Sequence, residues 1–206
     1  TYTDPPLARV SFHSAVGATG TATVFADDME GSTAGWTVVN HASLTSGAWV
    51  AATPIGTTNV GQFANPPEDA ESSTQNTRCF VTQNGAVGGA AGAADVDGGP
   101  TDLISPPVDL AGTDGFITYS RWFYASDSVD SLIVSVSGDG TTWVGVDTVT
   151  GGGHNQWNVR SFRVSDYITP TNAVITASKG RKPRRSRPRM IKVVTAVSKA
   201  AASSGM

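Results

Sequence analysis

Apolar and polar residues alternate along most of this chain with a repeat of two. The clearest run is DSLIVSVSGDGTTWVGVDTV, where Leu132, Val134 and Val136 alternate with Ile133, Ser135 and Ser137. Gly138-Asp139-Gly140 supplies turn residues, and on the return Trp143 and Gly145 alternate with Val144 and Val146. Two alternating runs joined in this way predict a β-hairpin. In FITYSRWFYAS, Ile117, Tyr119, Arg121 and Phe123 share one face; Phe116, Thr118, Ser120, Trp122 and Tyr124 share the other. WNVRSFRVSDYI alternates again, and NAVITAS opens a further strand. RCFVTQN is a short apolar run of the kind a buried strand shows. TATVFADDME reads as the first clear strand, followed by short apolar stretches around Trp36 and Trp49. GQFANPPEDAESSTQNT, polar and proline-bearing, reads as a long surface loop. GAVGGAAGAADVDGGPTDLISPPVDL reads as a Gly/Ala loop feeding an acidic turn and an extended stretch. No run has a convincing helical period, and no repeat of solenoid or propeller length is present. Many short strands with turn signals between them predict an all-β sandwich.

Composition agrees, being rich in Gly, Thr, Ser, Val and Asp. Charge divides the chain. All 17 acids precede Ser178, against five basic residues there, so residues 1–178 carry −12. Nine basic residues and no acid follow, and all four lysines are among them. The organisation expected is therefore a linker or the end of a preceding domain over 1–22, a sandwich over 23–178, and a non-conforming basic tail over 179–206. The acidic body argues against nucleic acid as its own partner and suits an extracellular protein. Its carboxylates, unopposed by lysine, leave room for calcium. Cys79 is the only cysteine, which excludes an internal disulfide and reads as a small buried hydrophobe. No stretch is long and apolar enough to span a membrane, and the opening on Thr1 reads as a fragment or mature piece of something longer.

The ordered set DDMEGSTAGWTV, SGAWV, CFVTQN, DVDGGPTDLISPPVDL, ITYSRWFY, LIVSVSGDGTTWVGVDTV and WNVRSFRVSDYITPT resembles MAM-like domains appended to secreted bacterial proteins. Such domains often follow metallopeptidases of carboxypeptidase type. The resemblance covers about residues 24–177. It implies a two-sheet antiparallel jelly roll, related in shape to carbohydrate-binding modules. It further implies an accessory, non-catalytic role in a secreted protein, with a covalently linked peptidase or other enzyme domain as partner. Domains of this type continue past TPTNAVITA with an acidic glycine turn and a closing strand. Here the chain turns instead into KGRKPRRSRPR. One explanation is a shifted reading frame: Met190-Ile191 is encoded ATG-AT, so a frame starting on the last base of the methionine codon reads GAT, aspartate. The other is a genuine arm, in which Lys179, Arg181, Lys182, Arg184, Arg185, Arg187 and Arg189 would neutralise the phosphates of nucleic acid or an anionic surface.

Two further sets of residues carry candidate chemistry. Asp28 and Glu30 follow the first strand, and Asp95 and Asp97 stand in DVDGG. Carboxylates beside flexible glycines suit a structural calcium ion, and solvated turn acids are the plainer alternative. Among the aromatics, Trp49 is the expected surface residue for stacking on a sugar, with Arg121 and Trp122 next; core packing is the alternative for any tryptophan. A carbohydrate-binding module is thus the second functional reading, after a calcium-stabilised accessory module. His13, His41 and His154 have no metal-ligand spacing, and no nucleophile elbow is present, so the chain is expected not to be an enzyme.

Overall fold

The computed structural model describes residues 21–70, 77–126, 129–181 and 191–203. Its strands, in chain order, are β1 (Thr21–Asp27), β2 (Thr37–Asn40), β3 (Trp49–Ala52), β4 (Thr57–Asn59), β5 (Gln62–Asn65), β6 (Cys79–Thr82) and β7 (Thr101–Ile104). They continue with β8 (Asp114–Ala125), β9 (Ser131–Ser137), β10 (Val144–Thr150), β11 (Asn158–Arg163), β12 (Ile175–Arg181) and β13 (Ile191–Ser203). One sheet runs β11-β8-β13-β6-β3, with β1 alongside β13; the other is five-stranded, β10-β9-β12-β7-β2. All pairings are antiparallel. The expected all-β sandwich of two antiparallel sheets is what the chain forms.

The alternating pattern explains which faces meet. Leu132, Val134 and Val136 of β9 point inward, as do Ile117, Tyr119, Phe123 and Ala125 of β8; Trp49, Phe80, Leu103, Val149 and Phe162 complete one continuous core. Burial of such side chains, at about 1.5–3 kcal/mol each, is what holds two sheets face to face. Asp27 closes the end of β1: its Oδ1 accepts from the Met29 amide at 2.8 Å and its Oδ2 from Trp36 Nε1 at 2.7 Å. Those bonds seat Met29, fully buried despite a φ of 65°, in the core.

Two elements depart from the sequence reading. The stretch expected as a long surface loop contains β5, which pairs with β4 across the two-residue turn Val60-Gly61. The alternation is too short there to register as strand. The sandwich also does not end at Ser178. β12 continues through Lys179 to Arg181, pairing with β9 on one side and, as far as Gly180, with β7 on the other. Ile191–Ser203 then lies between β8 and the pair β6 and β1. Backbone hydrogen bonding, not composition, selects a strand: β8, β6 and β1 would otherwise present bare edges in the middle of a sheet. The expected linker over 1–22 lies outside the described residues except for its last two positions, which belong to β1.

Candidate functional site

The outer face of the five-stranded sheet can be read strand by strand. Since Leu132, Val134 and Val136 point inward, Ile133, Ser135 and Ser137 point outward. Register carries that parity across the sheet. Gly145, Ser135, Ala177, Ile104 and Thr37 form one row running from β10 to β2. Thr148, Ile133, Lys179, Asp102 and Val39 form the row beside it. The first row has small residues in its middle, between the bulkier second row and Trp143, which stands just before β10. The result is a trough of about 250 Å³ lined by Val39, Asp102, Ile104, Ile133, Ser135, Trp143, Ala177 and Lys179. Its lining residues lie on β2, β7, β12 and β9, with Trp143 just before β10, so it crosses four strands, about 14 Å at three interstrand spacings. Its surfaces are apolar except for the Ser135 hydroxyl and one ion pair.

That pair is Lys179 Nζ and Asp102 Oδ1, 3.5 Å apart, with the lysine side chain 43% exposed and the aspartate 23%. Burial raises the Asp102 carboxyl above the usual carboxylate range, and the Lys179 ammonium and His41 partly offset this. The pair thus brings a half-buried acceptor and a semi-exposed donor to an otherwise greasy surface.

Part of the outer face of the other sheet is covered, while Val50, Phe116 and Val159 stay exposed on it. The β4–β5 hairpin and the chain after it lie over Trp122 and Trp157, whose Nε1 atoms donate to the carbonyls of Ala64 (3.0 Å) and Glu68 (3.2 Å). The Tyr124 hydroxyl accepts from Asn59 Nδ2 at 2.7 Å. Cys79 and Val81 are buried beneath the same cover, which explains the apolar run at β6. Burial, with Asp69 and Glu30 nearby, pushes the Cys79 thiol far above its ordinary pKa.

The three residues expected to contact a sugar are therefore all placed elsewhere. Trp49 is 4% exposed and faces the core, its Nε1 donating to the Thr101 carbonyl at 3.2 Å. Arg121 lies on the inward face of β8, where its Nε meets Asp147 Oδ2 at 2.7 Å. Trp122 is under the hairpin. Burial of the apolar ring outweighs exposure in each tryptophan, because each indole N–H finds a carbonyl inside. The aromatic that does line the trough is Trp143, which the sequence reads as core or an edge pair and which the β9–β10 register puts on the face of Ser135.

The four acids expected around calcium divide into two pairs. Asp28 Oδ1 accepts from the Glu30 amide at 3.1 Å, and the Glu30 carboxylate accepts from the amides of Thr77 and Arg78, just before β6. Asp95 and Asp97 stand past the other end of β6, where the Asp95 carbonyl accepts from Ser46 Oγ at 2.8 Å and Asp97 bridges Ser46. The length of β6 between them is about 10 Å. Among the described residues no three His, Cys, Asp or Glu side chains gather to hold a metal; the four acids stand as two separate pairs. Of the basic residues, Lys179 lies in the trough and Arg181 ends β12; Lys182, Arg184, Arg185, Arg187 and Arg189 lie outside the described residues.

No protein-family model matches the chain, and no curated protein matches it. Solved structures that it resembles are β-sandwich adhesin and carbohydrate-binding domains. A cleaved adhesin domain of Lys-gingipain from Porphyromonas gingivalis superposes with a TM-score of 0.51 at 13% identity, covering 87% of this chain and 97% of that one. A second cleaved adhesin domain of the same protein gives 0.48 at 12% identity, covering 89% and 100%. The xylan-binding CBM22-1 domain from Paenibacillus barcinonensis gives 0.45 at 10% identity, covering 92% and 100%. No helix among the described residues is long and apolar enough to cross a membrane.

Proposed function

We infer that the domain is a non-catalytic module that binds a segment of a carbohydrate chain along the trough of the five-stranded sheet. The observation that carries this reading is the trough itself, with Trp143 at one strand edge and the Asp102–Lys179 pair beside an apolar floor. A pyranose ring has apolar C–H faces and a rim of hydroxyls. An indole face suits the first, and convergent polar groups on an apolar surface suit the second. A trough crossing four strands of the sheet accommodates a segment of an extended chain. The lining contains one carboxylate, and glycoside hydrolysis by the usual route uses two, so the chemistry offered is recognition. The motif resemblance to MAM-like accessory domains supports a module serving a covalently linked secreted enzyme.

Affinity electrophoresis through gels containing soluble polysaccharides tests the reading. Retardation by at least one glycan, abolished by Trp143→Ala without loss of the folded near-ultraviolet spectrum, is the expected result. Absence of retardation across neutral and acidic polysaccharides would sink it.

A further inference from the structure

The ion pair midway along the trough has features that a simple surface ion pair lacks. Resting on the carbohydrate reading, we propose that Asp102 and Lys179 act as one device that selects neutral sugars, with Asp102 accepting from one hydroxyl and Lys179 donating to its neighbour.

The separation of the two groups supports this. Charge-assisted hydrogen bonds between ammonium and carboxylate close to about 2.7–2.9 Å. Here Nζ and Oδ1 stand at 3.5 Å, and Oδ1 is shut off from solvent without a hydrogen bond at normal geometry. Oδ1, closed to water, is closed to a ligand as well; the acceptor a hydroxyl can reach is the second oxygen of the same carboxylate, on a side chain 23% exposed, beside an ammonium with three donors. A hydroxyl is both donor and acceptor, so two adjacent hydroxyls satisfy the pair together and leave no charge exposed. The floor beside them favours a ring over water, since Ile133 and Val39 lie next to Lys179 and Asp102 in the same row.

The net charge argues against an acidic sugar. Lys179 and Asp102 are directly opposed across β12 and β7, so a uronate or sulfate approaching the lysine also meets the Asp102 carboxylate. The other groups lining the trough are uncharged. An anion gains little from the site while losing its hydration. Removing the carboxylate charge reverses the preference, because Lys179 is then an unopposed cation on an apolar floor.

The test uses affinity electrophoresis of the wild-type chain and of Asp102→Asn, Lys179→Met and Trp143→Ala. The gels contain either neutral polysaccharides (β-glucan, xylan, mannan, galactan) or acidic ones (polygalacturonate, alginate). The wild type is expected to be retarded by a neutral glycan and not by the acidic ones. Lys179→Met should weaken neutral binding about tenfold to hundredfold, the loss expected for a hydrogen bond to a charged group. Asp102→Asn should weaken neutral binding and gain retardation by the acidic glycans, a gain that a merely structural role would not produce. Wild-type binding to acidic glycans, or neutral binding unchanged in both variants, overturns the proposal while leaving the trough reading intact if Trp143→Ala still abolishes binding. No binding of the wild type to any glycan overturns both. Thermal melts of each variant establish that the folded protein is being compared.

Discussion

Arg121 Nε and Asp147 Oδ2 lie 2.7 Å apart and join the two sheets through the core, Arg121 from β8 and Asp147 from β10. Strict alternation from Val144 would turn Asp147 to solvent. A bulge between Gly145 and Asp147 inserts one extra residue opposite β9, so Asp147 pairs with Val134 and faces inward. Tyr119 donates its hydroxyl to the same carboxylate at 3.0 Å, and Arg160 approaches it at 3.5 Å. Burial, together with this carboxylate, pushes the Tyr119 hydroxyl far above its ordinary pKa. Asp147→Ala strands a buried guanidinium and is expected to cost about 3–5 kcal/mol, read as a fall in the urea midpoint. Arg121→Met combined with Asp147→Leu should recover most of that loss, because Arg121 Nη1 is buried without a hydrogen-bond partner even in the native pair.

The β4–β5 hairpin has a local misfit. Val60 and Gly61 both have positive φ, 48° and 76°, the geometry of a type I′ turn. Asn-Gly is the favoured pair there, and a β-branched residue is strained. Val60 is also 96% exposed, so its side chain gains nothing by packing. Val60→Asn is expected to raise stability by about 1 kcal/mol, measured by chemical denaturation, with no change in glycan retardation.

The tryptophans separate function from stability. Trp49→Ala removes a fully enclosed ring from the core and is expected to cost about 3–5 kcal/mol. Trp143→Ala, at the trough, should cost much less and still abolish retardation by glycan. Comparing melting temperature with gel mobility for the two variants decides it; equal destabilisation would place Trp143 in the core after all.

Acid should weaken the fold through identifiable groups. The amides of Thr142 and Thr141 donate to Asp139 at 2.7 and 2.8 Å and hold its carboxyl well below the usual range. Asp114 is also lowered: slight burial works against this, but bonds from Ser165, Gly115 and Arg163 prevail. For a depressed pKa, the stabilisation is present above the unfolded value of about 3.9 and is lost as pH falls through the folded value. Asp102, raised by burial, acts oppositely, and its penalty is relieved as pH falls towards about 4. Urea midpoints measured from about pH 5 to about pH 2 should fall less steeply for Asp139→Asn than for the wild type.

β13 makes the six-stranded sheet continuous, since among the described residues it alone pairs β8 with β6 and β1. A chain ending after Arg181 should lose cooperative unfolding and aggregate, as bare strand edges and core become exposed. Size-exclusion chromatography with a thermal melt reads the outcome. Reading the gene through codons 170–206 in the same preparation establishes which closing strand the natural frame encodes.

The sequence alone determined the strand class and the inward face of the main strands. Alternation is a property of neighbouring residues, and it put Leu132, Val134 and Val136 on one side and Ile133, Ser135 and Ser137 on the other. It also put Arg121 on the face of Tyr119 and Phe123, although Arg121 was expected to contact a sugar. Only the tertiary structure decided which outward face meets water. Trp122 and Trp143 both point away from the core, yet the hairpin at residues 57–65 covers the first and nothing comparable among the described residues covers the second. That distinction depends on contacts across about sixty residues of chain, as does the partner that makes Asp147 tolerable inside. Alternation has a range of a few residues, whereas solvent exposure and charge pairing depend on what packs from afar.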